Sequence, residues 1–213
     1  MIRLLLVDDH PVVRAGYQRL LELDGDAMVV AQAGSVDEGW EHFRQHDPDI
    51  TVTDLAMPGS GGLELLRRIR EARSDARVIV FSMHASELLV ARAFDLGARA
   101  FVAKSSPPED LVDAVHRVME GQRYRSLELR ASSGFDASAE PPGALASLTH
   151  REFEIFRLIA RGESVGECAR LLHLSPKTVS NLQSAIKEKL GVVTSAALVH
   201  LALRHGLIGV DAR

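Results

Sequence analysis

Along the first 120 residues, short β-rich apolar runs alternate with longer stretches of helical period. The runs Ile2–Val7, Met28–Ala31, Ile50–Thr53, Val78–Ser82 and Ala100–Val102 predict five buried strands, with helices near 11–23, 36–46, 62–72, 86–96 and 108–120. Near-continuous apolar strands separated by helices predict an α/β fold, a five-stranded parallel, doubly wound sheet covered on both faces. In such sheets ligands bind beyond the carboxyl ends of the strands. Asp8, Asp9, Asp54, Ser82 and Lys104 each follow a predicted strand end, so the topology alone predicts that they meet.

The periodicity fails over 123–146, where Ala131–Gly143 is small, polar and rich in Pro, Gly and Ser, which predicts a flexible linker. Beyond it, 147–213 predicts an all-α domain of four helices, about 150–161, 165–172, 176–190 and 194–205. Thr149…Glu152 and Ser164…Glu167 have capping-box spacing. Ser175-Pro176 supplies an N-cap followed by proline at the first helical position. Gly162, Gly191 and Gly206 stand where helices should stop. The short turn His173-Leu174-Ser175 joins the second and third of these helices, a helix-turn-helix pattern.

Composition narrows the class. An apolar fraction of 46% and a charged fraction of 25% are those of a globular protein. No apolar run approaches the roughly 18 residues of a membrane span, and the N-terminal run is too short for a secretory signal. A lone Cys168 forms no internal disulfide, its place among apolar neighbours predicts a buried thiol, and a cytoplasmic setting follows. Net charge is −4, unevenly spread: 13 Lys+Arg against 20 Asp+Glu in 1–122, 3 against 3 in 123–146, and 9 against 6 in 147–213. An acidic front and a mildly basic back point to different partners for the two ends.

Three carboxylates at adjacent strand ends repel, by roughly 4 kcal/mol for a pair about 4 Å apart at an effective dielectric near 20. Such a cluster persists if it binds a divalent cation, and all-oxygen ligation favours Mg²⁺. A carboxylate beside the ion is a nucleophile toward a phosphoryl group. Lys104 would then supply charge to the phosphoryl oxygens and the Ser82 hydroxyl a hydrogen bond. A single strand-end Asp is more simply a helix cap; five suitable residues at five matched positions are not.

The motifs Val7-Asp8-Asp9-His10-Pro11, Asp54-Leu55-Ala56-Met57-Pro58-Gly59, Ser82-Met83-His84 and Phe101-Val102-Ala103-Lys104 strongly resemble the two-component response regulators of the NarL/FixJ type. The resemblance spans the chain apart from the linker. It implies a flavodoxin-like receiver over 1–122 with Asp54 as phosphoacceptor and a sensor histidine kinase as donor. It implies Mg²⁺ held by Asp8, Asp9 and Asp54 with the carbonyl of Ala56, Asp9 being the more direct ligand. Phe101 falls at the family's switch aromatic, which rotates inward on phosphorylation; a plain core aromatic is the competing reading. Lys104-Ser105 departs from the Lys-Pro of many receivers, so a cis bond there would carry the full non-proline penalty.

Residues 148–192 resemble a LuxR-type helix-turn-helix, most specifically in Leu174-Ser175-Pro176-Lys177-Thr178-Val179. The resemblance sends helix 176–190 into the DNA major groove. Its period turns Val179, Leu182, Ile186 and Leu190 inward and leaves Lys177, Ser180, Asn181, Ser184 and Lys187 outward. Lys177 and Lys187 suit phosphate contacts and Thr178 a hydrogen bond; Ser180, Asn181 and Ser184 suit base edges. Leu182 replaces the His or Tyr of many members and forfeits one backbone contact. The sparse positive charge implies weak monomer binding, made up by a homodimer on double-stranded promoter DNA.

Three rival functions fit less well. Haloacid-dehalogenase-like phosphatases carry a second Asp two residues after the nucleophile, where this chain has Ala56, and a dinucleotide enzyme would carry a Gly-x-Gly-x-x-Gly after the first strand, where this chain has none. A phosphorylation-independent DNA binder would not need the complete Asp8, Asp9, Asp54, Ser82 and Lys104 set.

Overall fold

The computed structural model describes residues 1–57, 61–126, 145, 147–205 and 207–208. Pro58, Gly59, the Pro/Gly/Ser-rich stretch 131–143 and Gly206 lie outside the described residues. The chain divides into two compact units, the first holding the sheet and the second the C-terminal helices.

In the first unit the order is β1 (Ile2–Val7), α1 (Pro11–Leu21), β2 (Ala27–Ala33), α2 (Val36–His46), β3 (Ile50–Thr53), α3 (Gly61–Ala72), β4 (Arg77–Ser82), α4 (Glu87–Asp95), β5 (Ala100–Ala103), α5 (Glu109–Met119) and β6 (Tyr124–Arg125). The parallel strands stand in the order β2-β1-β3-β4-β5-β6. The chain winds outward both ways from β1, so α1 and α5 share one face of the sheet while α2 and α3 share the other.

Both faces of β1 are therefore buried. Leu4 and Leu6 join Leu111, Val115 and Val118 of α5 in one core. On the opposite side a Cβ at Gly39 of α2 would meet Val7 and Leu65 at 3.0 Å, so glycine lets that helix lie close to the sheet.

Among the described residues the sheet has six strands, where the apolar runs predict five. Tyr124–Arg125 adds a short parallel strand to the edge at β5, inside the segment expected to be linker. Tyr124 N–H donates to Arg99 O at 3.1 Å and Ser126 N–H to Phe101 O at 3.2 Å. The Ser126 hydroxyl oxygen accepts from Ala103 N–H at 3.3 Å. Tyr124 is buried beneath the Arg117 guanidinium, 5.5 Å from its ring centroid.

The second unit contains α6 (His150–Ala160), α7 (Val165–Leu171), α8 (Pro176–Lys189) and α9 (Ser195–Arg204). Thr149 and Glu152 form the complete capping box. Ser164 accepts from Glu167 N–H, while the Glu167 carboxylate pairs with Arg170. Gly162 and Gly191 take positive φ values of 92° and 64° just past their helices, as the glycine stop requires. The α7–α8 turn closes with Leu174 N–H on Ala169 O at 2.8 Å and His173 N–H on Arg170 O at 3.3 Å. His173 itself adopts φ 53°, the left-handed position usually given to glycine, and Ser175 caps α8 through Thr178 N–H. Cys168 is buried. No helix among the described residues is long and apolar enough to cross a membrane.

Candidate functional site

β1 and β3 are neighbours and β5 lies one strand further on, beyond β4; each of the three releases one charged group over the carboxyl edge of the sheet. Asp8 follows β1, Asp54 follows β3 and Lys104 follows β5. The Lys104 ammonium donates to Asp54 Oδ2 at 2.7 Å and to Asp8 Oδ2 at 2.5 Å, all three side chains being nearly buried. Ala56 N–H donates to the other Asp54 oxygen at 3.0 Å. Ser82, at the end of β4, is fully buried; its hydroxyl oxygen accepts from His84 N–H at 3.4 Å and its carbonyl accepts from Lys104 N–H at 2.9 Å.

These contacts set the charge of the site. Burial alone would raise the Asp54 pKa, but the Lys104 charge and hydrogen bond, with Ala56 N–H and Ser82, hold it below the ordinary 3.8. Burial would lower that of Lys104, but Asp54 and Asp8 hold it above 10.5. At neutral pH the site thus holds an ionised nucleophile beside a charged ammonium.

Asp9 and His10 complete the cluster: one ligand atom from each of Asp8, Asp9, His10 and Asp54 lies within 4.8 Å of the others. Asp9 Oδ1 is 2.9 Å from His10 Nδ1, yet its surroundings give it no hydrogen bond of acceptable geometry. A buried carboxylate oxygen left this way among other carboxylates is a fitting ligand for a hard cation.

The structure thus brings together Asp8, Asp9, Asp54, Ser82 and Lys104, with Ala56 joining through its N–H. Phe101 is fully buried on β5, which fits a plain core aromatic as well as the switch position. Among the residues that sequence reasoning did not single out is Gly62, at the start of α3: a Cβ there would lie 1.9 Å from the Asp54 carbonyl oxygen. Tyr17 of α1 is another; its ring packs edge-on against Phe81 at 4.5 Å beneath Lys104.

On α8 the inward positions are filled by Val179 and Ile186, which are buried, while Leu182 and Leu190 are half-buried rather than fully enclosed. Lys177, Thr178, Ser180, Asn181 and Ser184 are exposed and Lys187 is half-exposed. Two hydroxyls are already engaged: Ser184 donates to Ser180 O at 3.1 Å, and Thr178 Oγ1 lies 2.8 Å from Ser175 Oγ. At the far end Lys189 reaches back to Glu152 at 2.7 Å, tying α8 to the start of α6.

Residues 4–116 match the response regulator receiver domain, and residues 146–202 match the bacterial regulatory proteins of the luxR family. The chain belongs to the response regulators that join these two domains. It is 35% identical to the response regulator UvrY of Escherichia coli K12, over 99% of this chain and 98% of UvrY. It is 36% identical to the transcriptional activator protein ExaE of Pseudomonas putida, over 98% of this chain and 99% of ExaE. Among solved structures, RcsB of Salmonella enterica serovar Typhimurium, bound to promoter rprA in the presence of phosphomimetic BeF₃⁻, superposes with a TM-score of 0.72 at 28% identity. That match covers 94% of this chain and 98% of RcsB. The family is one of transcription regulators with a LuxR-type DNA-binding domain, and this chain carries both of its parts.

Proposed function

We propose that a sensor histidine kinase phosphorylates Asp54 and that this modification raises the affinity of α8 for promoter DNA. The observation that carries the reading is the Lys104 ammonium bonded to an ionised, almost fully buried Asp54. In the transfer, an Asp54 carboxylate oxygen forms a bond to phosphorus as the donor's P–N bond breaks. Lys104, Ser82 and Ala56 N–H then hold the new phosphoryl oxygens that replace their contacts with the carboxylate.

Mg²⁺ fits the pocket on donor chemistry: Asp8, Asp9 and Asp54 supply oxygens, one of them without a hydrogen bond, and the Ala56 carbonyl would add another. When bound it would offset charge on the phosphoryl oxygens. The added negative charge draws Ser82 toward the phosphoryl group. Phe101, whose carbonyl is held by Ser126, is assigned to the same switch in its inward position.

The functional units are a receiver over 1–122, a linker over 123–146 and a DNA-binding domain over 147–213, with β6 extending the sheet past the first boundary. Lys177, Thr178 and Lys187 are assigned to the DNA backbone, and Ser180, Asn181 and Ser184 to base edges. RcsB was solved on promoter DNA, which supports the same use of this chain. The active species on DNA is a homodimer in the cytoplasm. Acetyl phosphate or a kinase should label the protein only with Mg²⁺, and Asp54→Ala should abolish labelling without changing the circular dichroism. Full labelling of that variant would overturn the assignment. Binding to genomic fragments with and without a phosphodonor tests the link to DNA.

A further inference from the structure

His10 stands at the mouth of the carboxylate pocket and has no part in the phosphoryl chemistry described above. It is the N-cap of α1, where a side chain ordinarily accepts from the second or third helical N–H, but it makes no such bond. Its ring turns back instead, placing Nδ1 2.9 Å from Asp9 Oδ1 and 3.1 Å from Asp8 Oδ1. Adjacent ligands on an octahedral ion with bonds of about 2.1 Å are separated by roughly 3.0 Å. Nδ1 holds that spacing from both carboxylates; toward Asp8 the contact is a hydrogen bond, in which an ion would take the place of the proton on Nδ1. The ring is largely exposed, so a proton on Nε2 can face water and leave the Nδ1 lone pair for the pocket.

We infer that His10 is a nitrogen ligand in the divalent-cation pocket and shifts its preference from Mg²⁺ toward first-row transition ions such as Mn²⁺. This rests on the cation site proposed above. All-oxygen sites suit Mg²⁺, whereas an imidazole ligand favours first-row transition ions; Mn²⁺, the weakest binder of that series, keeps the octahedral, oxygen-rich coordination three carboxylates provide and is therefore the most stringent comparison with Mg²⁺.

The experiment titrates the full-length protein with Mn²⁺, follows binding by electron paramagnetic resonance, and reads bound ion by pulsed resonance for imidazole ¹⁴N coupling. Mg²⁺ affinity is measured by competition. Every variant also carries His42→Gln, His46→Gln and His150→Gln, because the first two rings lie 5.4 Å apart on α2 and His150 lies 3.4 Å from Glu154 on α6, so that these rings would collect transition ions themselves. His10→Gln should lose the ¹⁴N coupling and weaken Mn²⁺ binding about tenfold, while Mg²⁺ binding changes less than about twofold. Persistent coupling in His10→Gln, or equal losses for the two ions, overturns the role of His10 and leaves the carboxylate site standing. Asp9→Asn should weaken both ions; if it weakens neither, the cation site itself is wrong and this inference falls with it.

Discussion

The Lys104 ammonium and the Asp54 carboxylate, 2.7 Å apart and nearly buried, set each other's ionisation. Removing the cation leaves two buried carboxylates, Asp8 and Asp54, facing one another. Lys104→Met should therefore cost about 3 kcal/mol at neutral pH, the scale for breaking a buried pair from one side. Adding Asp54→Asn should return part of that loss, with a coupling of at least about 1 kcal/mol in urea unfolding. Additive losses would show that the pair contributes nothing.

The same pair fixes the pH window of this stabilisation. Asp54 is held below 3.8 in the folded protein, so the unfolded chain takes up its proton first as pH falls. Its contribution is complete above 3.8 and disappears as pH drops through the folded value. Lys104 is held above 10.5, so its contribution is complete below that value and disappears as pH rises through the folded one. The stability difference between wild type and Lys104→Met should be greatest between these limits and shrink beyond either. A difference independent of pH down to acid unfolding would contradict the charge assignment.

Gly62 lies where no side chain fits. Its Cβ would meet the Asp54 carbonyl oxygen at 1.9 Å and Thr53 Oγ1 at 2.9 Å, so Gly62→Ala must displace the backbone that carries Asp54. The cost should be about 1–3 kcal/mol, as for overpacking a core. The sharper readout is chemical: acetyl phosphate labelling should fall further than the loss of folded protein explains. Labelling that tracks only the folded fraction would mean that the displacement is absorbed elsewhere.

How far such features can be read from sequence depends on how local they are. The first five strands are legible because a doubly covered sheet needs apolar runs, and the polar residue ending each run is delivered to one edge. Thr149, Ser164 and Ser175 announce their helices because a cap acts within three residues of itself. β6 has no such run: Tyr124-Arg125 is two residues long, and its stability comes from Arg99, Phe101 and Arg117, which are local neither in pattern nor in position. The closeness of Gly62 to Asp54 and the direction of the His10 ring are likewise tertiary facts. The motif shows those residues without showing what they touch.

That difference makes β6 testable. Tyr124 is 6% exposed, so Tyr124→Ala in the full chain should destabilise the first unit by about 3 kcal/mol, as for a buried aromatic. A residue in an exposed linker would cost less than about 0.5 kcal/mol. The amides of Tyr124 and Ser126 should also exchange slowly with solvent deuterium in the wild type and rapidly in the variant. Fast exchange in the wild type would return 124–126 to the linker.

The last prediction separates positioning from reading on α8. Lys187 offers a point charge on a half-exposed stem, without the planar donor–acceptor pair that matches a base edge. Asn181 is exposed and offers both a donor and an acceptor, whereas the hydroxyl of Ser184 is already committed to Ser180 O. Lys187→Ala should weaken binding to all sequences alike and reduce the salt slope by roughly one unit. Asn181→Ala should leave that slope nearly unchanged and cost about 1–3 kcal/mol of discrimination at one base position. Salt titrations of both variants on the best site and on its single-base variants make the comparison. If Asn181→Ala loses affinity equally on every sequence, Asn181 is a backbone contact. Ser180, whose hydroxyl is exposed, then becomes the base reader to test next.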